Sequence, residues 1–348
     1  MSDGPDMDFV EAAWLPGLAP LYDSWFRVEV TGAERIPRTG GALLVGNHSG
    51  NLPVDALMTQ VAVHRATGRW PRLLAGDVAW MVGPVADLAG RLGAVRADPA
   101  NAHALLRAGW LVADYPEGYR GLGKPYSRRY ELQRFGRGGF AALALRHDAP
   151  IVPVAVTGAE EIYPQLGALF RGAELLGGDA VDRAGGVRAA GAAGVDEALE
   201  ALVLGVGDLL ADAARTPPAR LPGFLLGEDG RKRRAALVTM LRDLVLATAR
   251  GLGVPYVPLT PFFPWLGALG AVPLPSKWRI DVLEPVDARA WAAAHRERVM
   301  EPAANAPGPR GAELAADPVS VLGLTEEVRS RIQDRLLGRL RTRRSAFY

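Results

Sequence analysis

The sequence predicts an α/β fold: a mostly parallel sheet covered by helices on both faces, with a helical insert and a C-terminal amphipathic helix. Three observations carry this expectation. Between Val28 and Pro164, short continuous apolar runs alternate with stretches of helical spacing, the pattern of strands buried on both sides and joined by crossover helices. After Tyr163 the composition shifts, and residues 167–234 are rich in Ala, Gly, Leu and Arg but poor in aromatics. Near the end of the chain, Val328, Ile332, Leu336 and Leu340 recur at helical spacing among arginines, as on one face of an amphipathic helix.

The elements follow in order. Residues 1–27 form an N-terminal segment in which Trp14, Leu18, Tyr22 and Trp25 share helical spacing with Phe26 beside them. Pro16 and Pro20 interrupt that stripe, so a bent interfacial segment is expected rather than one long helix. Residues 28–166 form the α/β core. Ala42–Val45, Leu111–Ala113 and Ile151–Val156 read as buried strands, and Asp55–Arg65, Asn101–Arg107 and Gly138–Arg146 as helices. Residues 167–236 form the insert, with a helix over Asp196–Ala214 and a basic cluster at Arg231–Arg234. Residues 237–300 complete the core, with a helix over Leu237–Arg250. The sheet resumes near Pro255–Thr260 and closes with Trp278–Leu283. Residues 301–348 comprise a Pro/Ala/Gly linker over Glu301–Asp317 and a basic helix over Thr325–Arg344.

Composition excludes several function classes. The 348 residues are 49% hydrophobic and 22% charged, with no periodic Gly or Pro, which rules out disordered and fibrous chains. The chain contains 0 cysteines, so disulfide scaffolds, thiolate zinc sites and cysteine nucleophiles are excluded, and an intracellular setting is compatible. A formal net charge of +2 gives no whole-chain field for nucleic acid, and no nucleic-acid partner is expected. The N-terminus is acidic, unlike a secretory signal. The charge-free run Gly251–Ser276 is long enough to span a bilayer. It carries Pro255, Pro258, Pro261, Pro264, Pro273 and Pro275, each costing a helix interior about 3 kcal/mol.

The strongest chemical signal is Gly46-Asn47-His48-Ser49-Gly50-Asn51-Leu52-Pro53-Val54-Asp55. His48 falls at the carboxyl end of a predicted parallel strand, where such sheets bind ligands. Asp55 falls in the first turn of the next helix, from which the loop can fold it back to the imidazole. A carboxylate accepting one imidazole N–H leaves the other nitrogen free to take a proton. The bland alternative is a loop histidine and an acid complementing a helix dipole.

The second signal is Asp114-Tyr115-Pro116-Glu117-Gly118-Tyr119-Arg120-Gly121-Leu122-Gly123-Lys124, followed by Arg128, Arg129, Arg134 and Arg137. Glycines let the backbone approach a ligand and guanidinium forks suit phosphate oxygens, so a phosphate-bearing substrate follows; the alternative is a solvated basic face. Gly118 to Lys124 also satisfies GxxxxGK, but Pro125 stands where a P-loop needs a Ser or Thr hydroxyl. Ser49 lies outside any GxSxG elbow. His64, His103, His147 and His295 show no metal-ligand spacing.

Asn47-His48 with Asp55, then Tyr115-Pro116-Glu117-Gly118 with Arg120, then Val152-Pro153-Val154, in that order, resemble the glycerolipid (lysophospholipid) acyltransferase family, known for NHxxxxD, FPEG and V-P-[IV] motifs. The resemblance covers roughly residues 28–164 and resumes through 255–286. It implies that His48 is a general base acting on a glycerol-type hydroxyl and that Asp55 orients it. It further implies that Asn47, Glu117, Gly118 and Arg120 contact substrate; Lys124 joins them on the charge argument alone. The donor it implies is an acyl-coenzyme A or acyl carrier protein thioester, with no metal and no cofactor, and the acceptor a lysophospholipid or related lipid. The sequence departs from the pattern in three places. Six residues separate His48 from Asp55, as in bacterial members nearer the mono- and diacylglycerol acyltransferases. Tyr115 replaces the FPEG phenylalanine, and Arg96 stands out of register with the arginine of the middle motif.

Lipid substrates imply a membrane surface, and the expected location is cytoplasmic, peripheral on the inner face of the cell membrane. The N-terminal aromatics, the knot Phe262-Phe263-Pro264-Trp265-Leu266 and the basic C-terminal helix are the candidate contacts, with core packing as the alternative for each. A catalytically silent lipid-binding scaffold of the same fold is the rival to the enzyme reading.

Overall fold

The computed structural model describes residues 4–50, 52–80, 83–164, 167–171, 256–259, 272–299 and 311–347. The expected helices over 196–214 and 237–250, the basic cluster 231–234 and the aromatic knot 262–266 lie outside them. The chain divides into two compact units, residues 1–166 with 260–348, and residues 167–259.

The first unit is built on a seven-stranded sheet of β1 (Glu29–Thr31), β2 (Ala42–Gly46), β3 (Arg72–Ala75), β4 (Val95–Arg96), β5 (Leu111–Asp114), β6 (Ile151–Thr157) and β9 (Arg279–Val282). The spatial order is β1-β9-β6-β2-β5-β3-β4. The five strands from β6 to β4 run parallel to one another, while β9 is antiparallel to β6 and parallel to β1. The expected mostly parallel sheet is therefore present, with a reversed edge.

Alternation within the buried runs shows how both faces are covered. Along β2, Leu43 and Val45 enter a core shared with Ala102, Phe140, Leu145 and the C-terminal helix. Ala42 and Leu44 enter the opposite core with Met58, Val61 and Trp278. A strand with two such faces has no polar side to show, hence the continuous apolar run. The covering helices Val54–Thr67, Pro99–Arg107 and Gly139–His147 match the sequence expectation within three residues at each end. The first begins after Pro53 and stops at Gly68, whose φ of +73° few other residues adopt.

Three expectations are corrected. The strand Tyr256–Leu259 (β8), expected to rejoin the main sheet, pairs antiparallel with Gly167–Arg171 (β7) in a two-stranded ribbon of the second unit. Pro258 has no N–H to give a ladder, and a ribbon of two edges tolerates that where a sheet interior does not. The N-terminal stripe is not broken by its prolines. The chain is helical from Met7 to Trp25, with π-helical turns Val10–Trp14 and Pro20–Trp25 taking up the missing donors. Tyr22 and Phe26 belong to the core, Phe26 stacking on Trp278 with ring centroids 4.4 Å apart, while Trp25 is exposed.

The third correction concerns the C-terminal helix, which spans Pro318–Thr342. Asp317 caps it by accepting the backbone N–H groups of Val319 and Ser320, and Pro318 occupies the first turn. Its start absorbs the end of the expected linker, where Gly311–Ala316 is also helical. The stripe Val328, Ile332 and Leu336 is fully buried in the main core, which is the core-packing alternative to lipid contact. Each such side chain contributes about 1.5–3 kcal/mol on burial, so the core takes the stripe. Among the described residues no helix is long and apolar enough to cross a membrane.

Candidate active site

The carboxyl ends of β2 and β5, adjacent and parallel, bring the two sequence motifs together. His48 follows β2, and its Nδ1 lies 2.9 Å from Oδ2 of Asp55. The six intervening residues do not prevent the contact. Gly50, at φ +91°, turns the chain, and Pro53 starts the helix that presents Asp55. Asp55 is fully buried. Oδ2 also accepts the Ser49 backbone N–H at 2.8 Å, and Oδ1 accepts that of Ala56 at 2.8 Å. The carboxylate is held from three sides. Because it only accepts hydrogen bonds, the imidazole proton sits on Nδ1 and the lone pair on Nε2. The ring side is bounded by Tyr115, with centroids 4.9 Å apart.

Electrostatics around the imidazole are uneven. Burial pushes the Asp114 carboxyl, at the end of β5, up to about 6, against the Tyr115 backbone N–H and the attraction of His48. Burial also drives the Tyr115 phenol well above its ordinary value, and the charge of Asp55 adds to the rise while a hydrogen bond with Thr59 opposes it. Tyr115 is therefore a neutral wall to the site at any physiological pH.

The other expected residues fall into two groups. Arg120 is exposed on the single helical turn Tyr119–Leu122 beside His48. Gly118 adopts φ +53°, ψ −142° to start that turn, a conformation suited to glycine. Asn47, Glu117 and Lys124, expected to contact substrate, are buried and occupied within the protein. Asn47 exchanges two hydrogen bonds with the backbone of Val156, Nδ2–H donating at 3.0 Å and Oδ1 accepting at 2.7 Å, and so staples β2 to β6. Glu117 accepts the His48 backbone N–H at 2.9 Å and that of Gln133 at 2.6 Å. Lys124 lies 3.3 Å from Glu117 and 2.8 Å from Glu160. Arg96 sits on the edge strand β4, paired with Asp77 on the surface.

The glycine of the same turn is fixed by contact. A Cβ on Gly121 would stand 2.7 Å from the His48 carbonyl oxygen and 2.7 Å from Glu117 Cβ, neither of which is a flexible chain end. Gly121→Ala is expected to lower stability by about 1–3 kcal/mol and to reduce activity of the folded fraction by shifting His48. Thermal melts paired with turnover per folded molecule check both effects.

Sequence reasoning missed Tyr130, Gln133, Glu160, Glu161 and Arg343, which pack into the charge network around Glu117. The one available signal was the acidic pair Glu160-Glu161 just beyond a fully apolar strand. It also treated His103 and His147 as scattered, whereas their ring nitrogens are in contact between two packed helices.

Comparison with known proteins places this geometry. The family model described as Acyltransferase matches residues 27–157, which span β1 to β6 and hold every residue of the two motifs. An uncharacterised protein of Mycobacterium tuberculosis is 36% identical over 347 residues, covering 99% of this chain and 70% of that protein. A human protein described as a DGAT1/2-independent enzyme synthesizing storage lipids is 30% identical over 162 residues, 44% of this chain and 49% of its own length. A crystal structure of the 1-acyl-sn-glycerophosphate (LPA) acyltransferase of Thermotoga maritima aligns with a TM-score of 0.33 at 20% identity, over 43% of this chain and 59% of that one. Residues 27–157, which hold both motifs, belong to the acyltransferase family, and the uncharacterised mycobacterial relative aligns along nearly the whole chain.

Proposed function

We propose that the protein moves a fatty acyl group from an acyl-coenzyme A or acyl carrier protein thioester to the hydroxyl of a lysophospholipid or related glycerol-type acceptor, with His48 as general base. The observation that carries this reading is the contact between His48 Nδ1 and the buried Asp55 carboxylate, 2.9 Å long, which leaves Nε2 as the basic nitrogen. Nε2 takes the acceptor's hydroxyl proton as the oxygen attacks the thioester carbonyl. The new C–O bond forms, the C–S bond breaks, and the departing thiolate recovers the proton from the imidazolium. The charge on Asp55 stabilises that imidazolium while it exists. No metal or cofactor enters these steps.

Arg120 supports a phosphate-bearing acceptor, because it is exposed on the turn whose Gly121 packs against His48, while the neighbouring Lys124 is buried. A charge-assisted hydrogen bond of this kind contributes about 1.5–3 kcal/mol. Arg120→Ala is therefore expected to raise KM for lysophosphatidic acid about 10- to 100-fold and to leave KM for monoacylglycerol unchanged. Steady-state kinetics on the two acceptors separate these outcomes. An acceptor carrying an acyl chain places the enzyme at a lipid surface, and this reading puts it on the cytoplasmic face of the cell membrane as a peripheral protein. Mass spectrometry of lipids formed from palmitoyl-coenzyme A and each acceptor tests the proposal. A diacyl product from at least one acceptor is expected, and its absence with both coenzyme A and carrier-protein donors would sink it.

A further inference from the structure

The buried charges around Glu117 form one connected network. Glu117 holds the backbone N–H of His48, and its other oxygen meets Lys124 at 3.3 Å. Lys124 continues to Glu160 Oε1 at 2.8 Å and to the Glu131 carbonyl at 3.2 Å. Glu160 Oε2 accepts the Tyr130 backbone N–H at 2.8 Å, and the Tyr130 hydroxyl donates to Glu161 at 2.8 Å. Glu161 is bound in turn by Arg343, whose Nε donates to Oε1 at 3.0 Å. The path thus runs from the His48 loop to the segment following the C-terminal helix. All three carboxylates and Lys124 are less than one-tenth exposed.

We propose that Lys124 is a positioning residue for the acyl-transfer reaction: by pairing at once with Glu117 and Glu160 it fixes the carboxylate that holds the His48 loop, while Arg343, through Glu161 and Tyr130, anchors the far end of the same network. The proposal rests on the reading of His48 as general base. Lys124 touches no reacting atom, since its ammonium is spent on two carboxylates and a carbonyl. It changes the rate only by setting where His48 lies. A displacement of about 1 Å in a reacting group costs about 100-fold in rate, whereas substrate affinity is untouched.

The charge balance gives the network a signature of its own. Glu117, Glu160 and Glu161 are paired directly with Lys124 and Arg343, and Arg329 of the C-terminal helix, itself paired with Glu326, acts on Glu117 electrostatically. Burial, only partly offset by Lys124, pushes the Glu160 carboxyl up to about 7. Burial works against the charge on Lys124, but Glu160 and Glu117 outweigh it and hold its pKa above the ordinary lysine value. Removing the ammonium leaves two buried carboxylates uncompensated, and protonation of one of them restores the balance. Lys124 is what holds the Glu160 carboxyl down to about 7, so without it the proton is taken up at a pH above 7, and the defect shrinks as pH falls and grows in alkali.

Lys124→Met is the test. Its kcat is expected to fall about 10- to 100-fold, with KM for thioester and acceptor within about twofold of the unmodified protein. The ratio of variant to wild-type kcat is expected to rise as pH falls from 9 to 7. Adding Glu160→Gln to Lys124→Met removes the excess charge and should recover part of the rate. Hydrogen exchange, which needs no turnover, should be faster at residues 46–50 in Lys124→Met and unchanged at Ala42–Val45. Arg343→Met, at the far end of the network, should act in the same direction more weakly, and serves if Lys124→Met does not fold. Lys124 and Glu160 line a narrow cleft with Gly50, Gly121 and Tyr163, so direct acceptor contact is the rival role. A raised acceptor KM at unchanged kcat would establish that rival and overturn the proposal, as would unchanged exchange at residues 46–50. If the wild-type protein transfers no acyl group, the exchange result still decides the positioning role, and the transfer reading fails separately.

Discussion

His48→Ala is expected to lower acyl transfer by a factor of about 10²–10⁴, the contribution of a positioned general base, and to leave the fold intact. The fold survives because the loop is held by its backbone. The His48 N–H still reaches Glu117, and Asp55 still accepts the backbone N–H groups of Ser49 and Ala56. The lost side chain takes one hydrogen bond with it, worth about 1 kcal/mol. Thiol release measured beside a thermal melt separates the two quantities. A large fall in rate with a small change in melting temperature is expected; a collapse of both would assign His48 to structure.

Asp55→Asn is the second large effect, and it acts through the tautomer. With its oxygen on the Ser49 N–H the new NH2 opposes the Ala56 N–H, and flipped it donates to Nδ1; in either pose the anion that faces Nδ1 is gone. Without that anion the imidazole proton is free to settle on Nε2, the nitrogen that must accept the hydroxyl proton. Loss of electrostatic support for the imidazolium adds to the cost. A fall of about 10²–10⁴ in kcat is expected, equivalent to about 3–5 kcal/mol of barrier. The stability change should be no more than about 1–3 kcal/mol, because Asn conserves the shape of a fully buried side chain. Urea unfolding and initial rates on the same preparation provide the comparison. Equal losses in both would remove Asp55 from the mechanism.

The sheet's central strands were legible because burial on both faces writes an uninterrupted apolar run. Ala42–Gly46, Leu111–Asp114 and Ile151–Thr157 are such strands. The short strands Glu29–Thr31, Arg72–Ala75 and Val95–Arg96 were not, since two to four residues including charged ones establish no period. Helical spacing identified the apolar face of the C-terminal helix but said nothing of what covers it. The cover is the main core, and Arg329, Arg331, Arg339 and Arg343 turn instead to Glu326, Glu327, Asp281 and Glu161.

The site shows the same division. His48 and Asp55 are seven positions apart, and strand-end logic brought them together. The network behind them joins Lys124 to Glu160 across 36 positions and Glu161 to Arg343 across 182, separations that local pattern does not encode. Lys124 therefore read as one more cation in a basic stretch, although the fold buries it between two carboxylates. Glu117 likewise read as a substrate contact, although one of its oxygens holds the His48 backbone N–H and the other holds that of Gln133 and pairs with Lys124.

The most direct test of acyl transfer by a His48 base is thiol release from palmitoyl-coenzyme A by purified wild-type protein, with lysophosphatidic acid, with monoacylglycerol and without acceptor, each beside His48→Ala. The account predicts release that requires an acceptor and disappears in the variant. Acceptor-dependent release that persists undiminished in His48→Ala would contradict it.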